Sequence, residues 1–573
     1  MDKYAETAWF VQNKRADFMA ISKKFGISPV TARIIVNRGI TTYDGIDRYL
    51  NAGAGCLFDS RLLNDSTAAA VSLCEDIKAG KKIRVVGDYD IDGVCAAFIL
   101  TDGLRRAGAQ VSYVIPDRVK DGYGINRSIV DGCVHDGIDT IITCDNGISA
   151  VEELKEAKDH GIKVIVTDHH DIKMEDGTEV LPPADFIISA KLKNSVYPEK
   201  EICGAVTAWK FLRVVYEELA LPSEDWDSYY EFAGFATIGD VMTLLGENRI
   251  IAKEALRRLN ASPKNRGLRA LISENGLCNK NITCYHVGFV LGPCVNAAGR
   301  LETAEKVMEL FLSTDDGSCV RMARELKEIN DSRKYLTRQG TEEASAEVLS
   351  KYMKDSVLCV YLPSLHESMA GIVAGRLKET FGKPALVFTK SGEEGILKGS
   401  GRSIEIYNMF EALLREQELL KKFGGHPMAA GVSIKEENLA ALREALNEHS
   451  GLTEKDLIKK VTIDAAMPMS YVSFDLLEDF RKLEPFGNGN EAPLFGEMNI
   501  SPFNMRVLGK NRNTLRFMAK TSKGFTADCI MFGDADEIAA DLSKRDMVSV
   551  LYYPEVNEYN GRRSIQYRIE AYK

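Results

Sequence analysis

Six acidic and imidazole side chains lie in two short stretches whose spacing suits metal binding. Three aspartates alternate with other residues directly after the apolar run at 83–86, and one aspartate with two histidines follows the run at 163–167. They are Asp88, Asp90, Asp92, Asp168, His169 and His170. Hard divalent cations prefer carboxylate oxygens, and an added imidazole shifts the preference towards manganese or another first-row metal. The pattern predicts metal-assisted hydrolysis of a phosphoester.

The alternating aspartates have two simpler interpretations. They match the start of a calcium-binding EF-hand loop, but that loop needs a bidentate glutamate at its twelfth position, where this chain has Ile99. The acids could also form one solvated face of an edge strand, and the paired histidines could be surface residues. The presence of both motifs in one chain weakens either alternative.

Two further aspartates also follow apolar runs. Asp145 follows the strand-like run at 139–144, and Asp240 follows the run at 232–238. The second run fits either a strand or a helix. A shared position after such runs predicts that these acids belong to the same site as the two motifs.

Helical patterns separate the strand-like runs. They cover 94–107, 128–135 and 150–160, and a glycine that could end a helix comes soon after each. Strands that alternate with helices predict an α/β fold with a mostly parallel sheet. Ligands bind such sheets outside the carboxyl ends of the strands, where these side chains are expected to converge: Asp88, Asp90, Asp92, Asp145 and His169.

The number of candidate ligands exceeds what one octahedral ion needs beside water and substrate. Two ions about 3.5 to 4 Å apart, bridged by a carboxylate, fit better. Asp145 is the expected bridging ligand. One ion would lower the pKa of the attacking water, and both would neutralise charge on the transition state.

These motifs resemble those of the DHH phosphoesterase superfamily, and within it a family of bacterial single-strand-specific exonucleases. The resemblance covers almost the whole chain and implies two divalent ions, Mn or Mg. It assigns one ion to Asp88, Asp90 and Asp145. It assigns the other to Asp92, Asp145, His169 and Asp240. It also implies that His170 contacts the scissile phosphate, and the expected catalytic side chains are Asp145, Asp168 and His170.

A second α/β region carries two glycine-rich segments, interpreted as turns, at 399–403 and 424–431. Glycine lets a backbone approach a phosphate closely, while serine, arginine and histidine donate hydrogen bonds to it. Both segments resemble the DHH-associated substrate domain, in which the Gly-Gly-His segment faces the metals. The resemblance implies a pocket for a 5' phosphate and these substrate contacts: Arg118, Arg300, His366, Ser400, Arg402, Gly424, Gly425 and His426. Cys294 stands where the resemblance leads us to expect an arginine.

The C-terminal region contains a local concentration of basic residues. Six cationic residues between 501 and 530 stand against one acid, Asp528. Strand-like alternation in the same stretch predicts a small β-barrel of the oligonucleotide-binding (OB) type. Four of the cations are expected to track DNA phosphates: Arg506, Lys510, Arg512 and Arg516. A solvated face on a purely structural barrel is the alternative.

The predicted organisation has five parts. They are an N-terminal segment (1–55), a DHH catalytic domain (56–300), a long helical connector (301–355), a DHH-associated substrate-binding domain (356–455) and an OB-type barrel (456–573). The connector is expected from the helical spacing of Met322, Leu326, Ile329 and Leu336.

Composition fits a large intracellular enzyme. The chain has 573 residues, a net charge of -10, and twelve cysteines without a C-x-x-C pair, which favours a reducing, cytoplasmic location. No run is long enough to span a bilayer, and we expect no membrane partner and a monomer. The net charge gives no global signature for nucleic acid, so any such contact must be local.

The expected function is 5' to 3' hydrolysis of single-stranded DNA to nucleoside 5'-monophosphates, in DNA repair and recombination. A small-molecule or oligonucleotide phosphodiesterase of the same superfamily would share the metal motifs, and an inactive replication scaffold would have lost ligands. The family implies single-strand-binding protein and a helicase as partners.

Overall fold

A computed structural model describes residues 7–118, 120–559 and 561–573. The first six residues of the predicted N-terminal segment therefore lie outside the described ranges. The chain divides into two compact units. The parallel-sheet unit comprises Asp47–Arg333 and Glu484–Glu491, and the composite unit comprises Met1–Ile46, Lys334–Leu483 and Ala492–Lys573.

The strands are numbered in chain order. They are β1 Thr7–Val11, β2 Lys82–Val86, β3 Gln110–Val114, β4 Thr140–Cys144, β5 Lys163–Thr167, β6 Met174–Glu175, β7 Thr178–Glu179, β8 Phe186–Ile188, β9 Leu358–Tyr361, β10 Ala385–Lys390, β11 Ile396–Arg402, β12 Leu420–His426, β13 Ala429–Lys435, β14 Lys459–Ile463, β15 Ala465–Ala466, β16 Phe495–Leu508, β17 Thr514–Lys520, β18 Thr526–Phe532, β19 Val548–Tyr559 and β20 Arg562–Tyr572.

The α-helices are numbered in the same way. They are α1 Phe18–Phe25, α2 Pro29–Asn37, α3 Tyr43–Asn51, α4 Ser66–Lys78, α5 Ile91–Arg106, α6 Arg127–Asp136, α7 Val151–Asp159, α8 Gly204–Glu218, α9 Ser223–Asp227, α10 Tyr230–Gly239, α11 Gly246–Ala261, α12 Arg266–Glu274, α13 Cys284–His286, α14 Gly292–Leu301, α15 Glu305–Leu312, α16 Asp316–Glu347, α17 Ala370–Phe381, α18 Met409–Arg415, α19 Leu439–Glu448, α20 Phe474–Arg481 and α21 Ala535–Leu542.

The parallel-sheet unit is built on five parallel strands in the order β3-β2-β4-β5-β8. Strand β4 is buried along its whole length, and its neighbouring side chains face two different cores. Ile142 packs into the core that contains α5 and α8, and Ile141 packs into the core that contains α6 and α7. Helices on both faces explain why the central strands β4 and β5 are buried almost throughout rather than on alternate residues. The predicted parallel sheet is confirmed.

The helices between these strands begin at side chains that cap them. Asp90 caps α5 by accepting hydrogen bonds from the Asp92 and Gly93 backbone amides, at 2.9 and 3.1 Å. Asn126 caps α6, which ends at Gly137 in the left-handed conformation. These caps satisfy amides that a helix start leaves without partners.

Asp240 follows a helix, α10, which resolves the choice left open by the sequence. Residues 230–238 are buried on every side, so the apolar pattern has no helical period to read. A Cβ at Gly234 would lie 2.1 Å from the Ala255 Cβ, so glycine allows α10 to pack closely against α11.

The composite unit contains a five-stranded mixed sheet in the order β12-β13-β11-β10-β9. The two glycine-rich segments were wrongly interpreted as turns. Residues 399–402 lie in β11, and most of 424–431 forms the end of β12 and the start of β13, with the hairpin at Pro427 and Met428. A Cβ at Gly399 would lie 2.6 Å from the Phe388 ring on the adjacent strand, so one of these glycines is required by packing.

A second sheet of the composite unit closes on itself. Its order is β15-β16-β17-β18-β20-β19, and β16 also pairs with β19. The 14-residue strand β16 serves both neighbours because its register shifts along its length. The predicted C-terminal barrel is confirmed.

The N-terminal strand β1 pairs in parallel with β14, which lies more than 400 residues later in the chain. Helix α2 is largely buried, and the Asn37 amide donates to the Asp464 carbonyl at 3.1 Å. The N-terminal segment thus packs on the C-terminal region, a contact that no local pattern in the sequence indicates.

The predicted helical connector contains α15, the 32-residue helix α16 and a following π-helical turn. Leu326 and Ile329 of the predicted stripe are buried. Among the described helices, none is long and apolar enough to cross a membrane. All twelve cysteines are free thiols.

A buried ion pair fixes α8 against α11 in the parallel-sheet unit. The Lys210 ammonium lies 2.9 Å from Glu247 Oε1, and the same oxygen accepts from the Phe58 amide at 2.7 Å. The Tyr197 hydroxyl donates to the other oxygen of Glu247. The side chains of Lys210 and Glu247 are 2% and 0% exposed, so water cannot solvate either charged group.

We expect Lys210→Met to lower the free energy of unfolding by about 3 to 5 kcal/mol, because it leaves the Glu247 charge buried without its partner. Urea unfolding followed by circular dichroism measures this effect. Lys155→Met makes the same change of charge at an exposed position of α7, and it should cost less than about 0.5 kcal/mol. Equal effects of the two substitutions would show that the pair does not stabilise this unit.

Candidate metal centre

The loop between β2 and α5 carries the first group of acids. Asp88 and Asp92 are each 1% exposed, and Asp90 is half-buried at the start of α5. A Cβ at Gly93 would lie 2.6 Å from the backbone and Cβ of Asp88. Glycine at this position therefore lets the helix fold back against the loop and hold the acids together.

Asp92 points at the start of α8. Its two carboxylate oxygens accept from the backbone amides of Gly204 and Ala205, at 2.6 and 2.8 Å. The positive end of a helix dipole favours a negative charge at this place. Asp92 is thereby fixed in orientation.

Asp145 follows β4 in the left-handed conformation, with φ of 60°. Its amide donates to the Thr167 carbonyl at 3.0 Å, which ties the end of β4 to β5. A Cβ at Gly204 would lie 2.6 Å from the Asp145 Cβ. The start of α8 can therefore approach both Asp92 and Asp145 only because it begins with glycine.

Asp168 organises the histidine pair. Its Oδ1 accepts from the His169 amide at 2.7 Å and lies 2.8 Å from His170 Nδ1, and its Oδ2 accepts from the Ile148 amide at 2.9 Å. Burial alone would raise the pKa of Asp168, but the hydrogen bond from His170 and its charge bring it below the usual value. Asp168 therefore positions His170.

His170 has the opposite shift. Burial lowers the pKa of its imidazole, but the hydrogen bond with Asp168 and the surrounding carboxylates raise it to about 9. His170 is therefore a cation at neutral pH. A fixed imidazolium is well suited to contact a phosphate oxygen.

The candidate ligands converge at the carboxyl edge of the sheet. Three groups have ligand atoms within 4.8 Å of one another. They are Asp88, Asp90 and Asp145; Asp92, His169 and Asp240; and Asp145, His169 and His170. The His169 Nε2 atom lies 3.0 Å from Asp145 Oδ1, 3.5 Å from Asp92 Oδ2 and 4.0 Å from Asp240 Oδ2.

The structure therefore brings together every residue of the two predicted ligand sets. The first set coincides with one of these groups, and Asp145 lies between both sets as expected of a bridge. Their role as ligands stays a prediction.

Burial and crowded negative charge together set the electrostatics of this cluster. Burial and the Asp90 carboxylate raise the pKa of Asp88 to about 8, and burial and the Asp92 carboxylate raise that of Asp240 to about 8. Burial and the Asp92 carboxylate raise the pKa of Asp145 well above its usual value. Asp145 Oδ1 is buried and accepts no hydrogen bond from the described residues. The donor set and this unsatisfied oxygen fit divalent cations.

Two further residues of the site were not identified from the sequence. The Tyr123 hydroxyl donates to the Asp145 carbonyl at 2.8 Å and lies about 3 Å from the His170 ring. Buried Asn146 donates to the Val86 and Cys144 carbonyls, which joins the ends of β2 and β4. Glycines with positive φ on both sides of Tyr123 were the available signal for an unusual loop.

Two of the predicted substrate contacts lie in the parallel-sheet unit. The Arg118 guanidinium stacks 4.8 Å from the centre of the Tyr89 ring. Arg300 lies near the end of α14, where a Cβ at Gly299 would lie 2.5 Å from the Tyr89 carbonyl oxygen. Both cations therefore border the loop that carries the acids.

The other predicted substrate contacts lie in the composite unit. Arg402 ends β11, and its Nη1 donates to the Gly401 carbonyl at 2.8 Å, while Ser400 on the same strand is half-buried. His366 is exposed, with Nδ1 2.7 Å from Ser368 Oγ. The last three residues of β12 are predicted contacts, and all three are exposed to solvent: Gly424, Gly425 and His426.

The predicted DNA track is only partly free of ion pairs. Arg506 and Lys510 are exposed. Arg516 makes two hydrogen bonds with Asp528, at 3.0 and 2.7 Å, and Arg512 makes two with Asp536. Asp536 lies outside the segment whose charge was counted, so the local positive charge is smaller than the sequence indicated.

Cys294 faces the core rather than a ligand surface. Its side chain is fully buried, with Sγ 3.2 Å from the Val290 carbonyl and 3.3 Å from Asn330 Nδ2. The Cys294 side chain therefore contributes nothing to the protein surface.

We expect Gly204→Ala to weaken Mn²⁺ binding by at least about tenfold, because the new methyl group displaces Asp145 and the amides that hold Asp92. Isothermal titration calorimetry of the full chain measures the affinity. Gly132→Ala is a matched control, since a Cβ there meets nothing within 4 Å on helix α6. Equal affinities in the two variants, both folded by circular dichroism, would contradict the role of this close approach.

We also expect Mn²⁺ binding to release protons at neutral pH. Asp88 and Asp240, each with a pKa of about 8, are mostly protonated at pH 7 without metal and must ionise to bind it. Affinity should therefore rise as the pH increases to about 9. Calorimetry in two buffers of different ionisation enthalpy gives the number of protons released. A binding enthalpy independent of the buffer at pH 7 would refute the shifts.

Comparison with known proteins identifies three domains. The DHH family N-terminal domain matches residues 82–239, the DHHA1 domain matches 354–450, and the RecJ OB domain matches 463–571. The expected DHH, DHH-associated and OB-type architecture is thereby confirmed.

Similarity to individual proteins extends over nearly the whole chain. The single-stranded-DNA-specific exonuclease RecJ of Bacillus subtilis (strain 168) is 32% identical over 565 residues, which cover 98% of this chain and 70% of that protein. The crystal structure of RecJ in complex with Mn²⁺ from Thermus thermophilus matches with a TM-score of 0.83 and 27% identity, covering 100% of this chain and 80% of that one. The corresponding Mg²⁺ complex matches with a TM-score of 0.77 and 25% identity, covering 100% and 79%. The chain therefore belongs to the RecJ family.

Proposed function

We propose that the chain is a single-stranded-DNA-specific 5' to 3' exonuclease that hydrolyses phosphodiester bonds with two divalent ions, Mn or Mg, and releases nucleoside 5'-monophosphates. The observation that carries this proposal is the overlap of three ligand groups at the carboxyl edge of the parallel sheet. Membership of the RecJ family supports the substrate, because its relatives are named for single-stranded DNA.

The ligands divide into two sets that share Asp145. The first set is Asp88, Asp90 and Asp145, and the second is Asp92, Asp145, His169 and Asp240. When bound, two divalent ions would lower the pKa of a water molecule and neutralise charge on the scissile phosphate. The chain contributes the rigidity of this arrangement, because strand ends, a helix start and glycines fix each carboxylate.

His170 would bind the scissile phosphate through its positive charge. Asp168 accepts from its Nδ1, so the ring is held in one orientation and in its protonated form. Tyr123 fixes the adjacent Asp145 backbone and contacts the same ring. These contacts place the cation before substrate arrives, so little reorganisation is needed during reaction.

A terminal 5' phosphate would be recognised by donors on the DHHA1 domain. Ser400 and Arg402 are the principal candidates. Arg118 and Arg300, the other predicted contacts, border the loop that carries the acids. His366 and the Gly-Gly-His segment at 424–426 would contact the strand. Charge-assisted arginine contacts to phosphate are directional, so they can set the register of the first scissile bond.

The OB barrel would hold the strand further from its end. Arg506 and Lys510 are the cations best placed to contact phosphates, because Arg512 and Arg516 are engaged with carboxylates. To contact a phosphate, each of those two arginines would have to give up its carboxylate partner. The gain in affinity for DNA would therefore be smaller than for an unpaired cation.

The domain boundaries are those predicted from the sequence: an N-terminal segment to 55, a DHH domain to 300, a connector to 355, a DHH-associated domain to 455 and a barrel to 573. We infer a cytoplasmic monomer in DNA repair and recombination, with single-strand-binding protein and a helicase as partners.

Asp145→Asn should abolish hydrolysis of a 5'-phosphorylated single strand while leaving its binding largely intact. Asparagine tolerates the left-handed conformation of this position, so loss of activity would report the lost charge rather than backbone strain. The assay is Mn²⁺-dependent digestion of strands labelled at either end, beside a dinucleotide. Asp159→Asn, at an exposed position of α7, is the control. More than a few per cent of residual activity would refute the shared ligand, and digestion of the dinucleotide alone would indicate a small-molecule phosphodiesterase.

Arg402→Ala should reduce the preference of the enzyme for a 5' phosphate over a 5' hydroxyl. Loss of a charged hydrogen bond of about 1.5 to 3 kcal/mol predicts a fall of roughly tenfold or more in the ratio of the two kcat/KM values. Arg376→Ala removes an exposed arginine from the same unit and should leave the ratio unchanged. The pocket assignment fails if wild-type enzyme shows no such preference, or if both variants behave alike.

A further inference from the structure

Two aromatic rings stack on one another at the solvent-exposed surface of the parallel-sheet unit. Tyr285 and Phe289 have ring centres 5.2 Å apart and planes inclined by 27°. They are 63% and 67% exposed. Single exposed apolar residues are common on proteins, but two adjacent stacked rings form a surface that burial by a ligand would stabilise.

The rings project from a continuous helical segment. It consists of α13, a π-helical turn at Val287–Leu291 and α14. π-helical turns are rare and occur frequently at functional sites. Five residues at spacings of four, four, three and four lie along one side of the segment and are at least partly accessible to solvent: Tyr285, Phe289, Pro293, Asn296 and Arg300. Residues on its other sides, such as Val287, Leu291 and Val295, are fully buried.

This accessible face leads to the loop that carries the acids. Asn296 Oδ1 accepts from the Ile91 amide at 2.8 Å, and Ile91 stands between Asp90 and Asp92 in the sequence. A Cβ at Gly292 would lie 3.2 Å from Ile91 Cδ1, so the helix and the loop pack directly together. At a rise of 1.5 Å per residue, Phe289 is about 10 Å along the helix from Asn296.

We propose that Tyr285 and Phe289 form a platform on which unpaired bases of the substrate strand stack beside the metal centre. This inference rests on the proposed exonuclease function. Every base has an aromatic face, so stacking holds a strand without regard to its sequence. The bases of a duplex are already stacked and paired. The platform therefore favours single strands over duplexes, which contacts to phosphate alone do not.

The test compares binding of two 5'-phosphorylated strands of equal length, one normal and one built from abasic residues. Both are titrated into protein that carries Asp145→Asn, so that no hydrolysis occurs. Tyr285→Ala and Phe289→Ala should each weaken binding of the normal strand by about tenfold. Binding of the abasic strand should be unchanged, because it offers phosphates but no base faces.

Two further variants separate stacking from a general effect of removing an aromatic ring. Phe289→Trp should retain binding, and its indole fluorescence should be quenched by the normal strand but not by the abasic strand. Tyr335→Ala removes a ring that is 57% exposed on α16, outside this surface, and should change nothing.

The results distinguish failure of the proposed exonuclease function from failure of the stacking platform. If the otherwise wild-type protein neither binds nor digests single strands, the proposed function fails. If it digests them but the alanine variants bind both strands normally, only the platform is refuted. Equal weakening of both strands would also overturn it, because the effect would then not depend on bases. A wild-type dimer that these substitutions convert to a monomer would instead assign the rings to a contact between copies of the chain.

Discussion

Repulsion among buried carboxylates is the constraint on which the parallel-sheet unit depends. Four aspartates have pKa values raised by burial and by neighbouring aspartates, chiefly Asp92 and Asp90: Asp88, Asp90, Asp145 and Asp240. The fold compensates the others one at a time. Asp92 faces a helix start, and Asp168 accepts from three backbone amides and an imidazolium. The carboxyl groups that lack such partners are concentrated where divalent cations would bind. Their raised pKa values mean that a bound cation would favour their ionised form.

Close backbone approach is the means by which this crowding is achieved. Gly93 and Gly204 occupy positions where a Cβ would collide with Asp88 and Asp145. Gly299 does the same against Tyr89, so α14 is fastened to the loop between β2 and α5. Each glycine allows a helix to press on an acid-bearing loop, and the helix in turn restricts the acid. The contacts that pack these helices against the loops are therefore the same contacts that position the acids.

Elements whose formation depends on neighbouring residues in the chain were predicted from the sequence. Features that depend on partners far away in the chain were not. Runs of β-branched residues followed by acids predicted the parallel strands and most of the residues that converge at the site. Asp240 remained ambiguous because α10 is buried on all sides and shows no period. The glycine-rich segments were mistaken for turns because their pairing partners lie elsewhere in the chain. The pairing of β1 with β14 and the ion pair of Arg512 with Asp536 were missed for the same reason.

Selectivity for single strands must come from local surfaces, because a chain with net charge -10 does not attract nucleic acid as a whole. Phosphate contacts alone cannot supply it, since a duplex offers phosphates at higher density than a single strand. The barrel cations have moreover been partly neutralised by Asp528 and Asp536. Unpaired base faces distinguish the two substrates directly, and exposed aromatic rings are the side chains that recognise them. Helix α14, which continues the segment that carries the two rings, packs against the loop between β2 and α5. A stacking surface on this segment would therefore bind the bases of a single strand at a fixed distance from the bond that is hydrolysed.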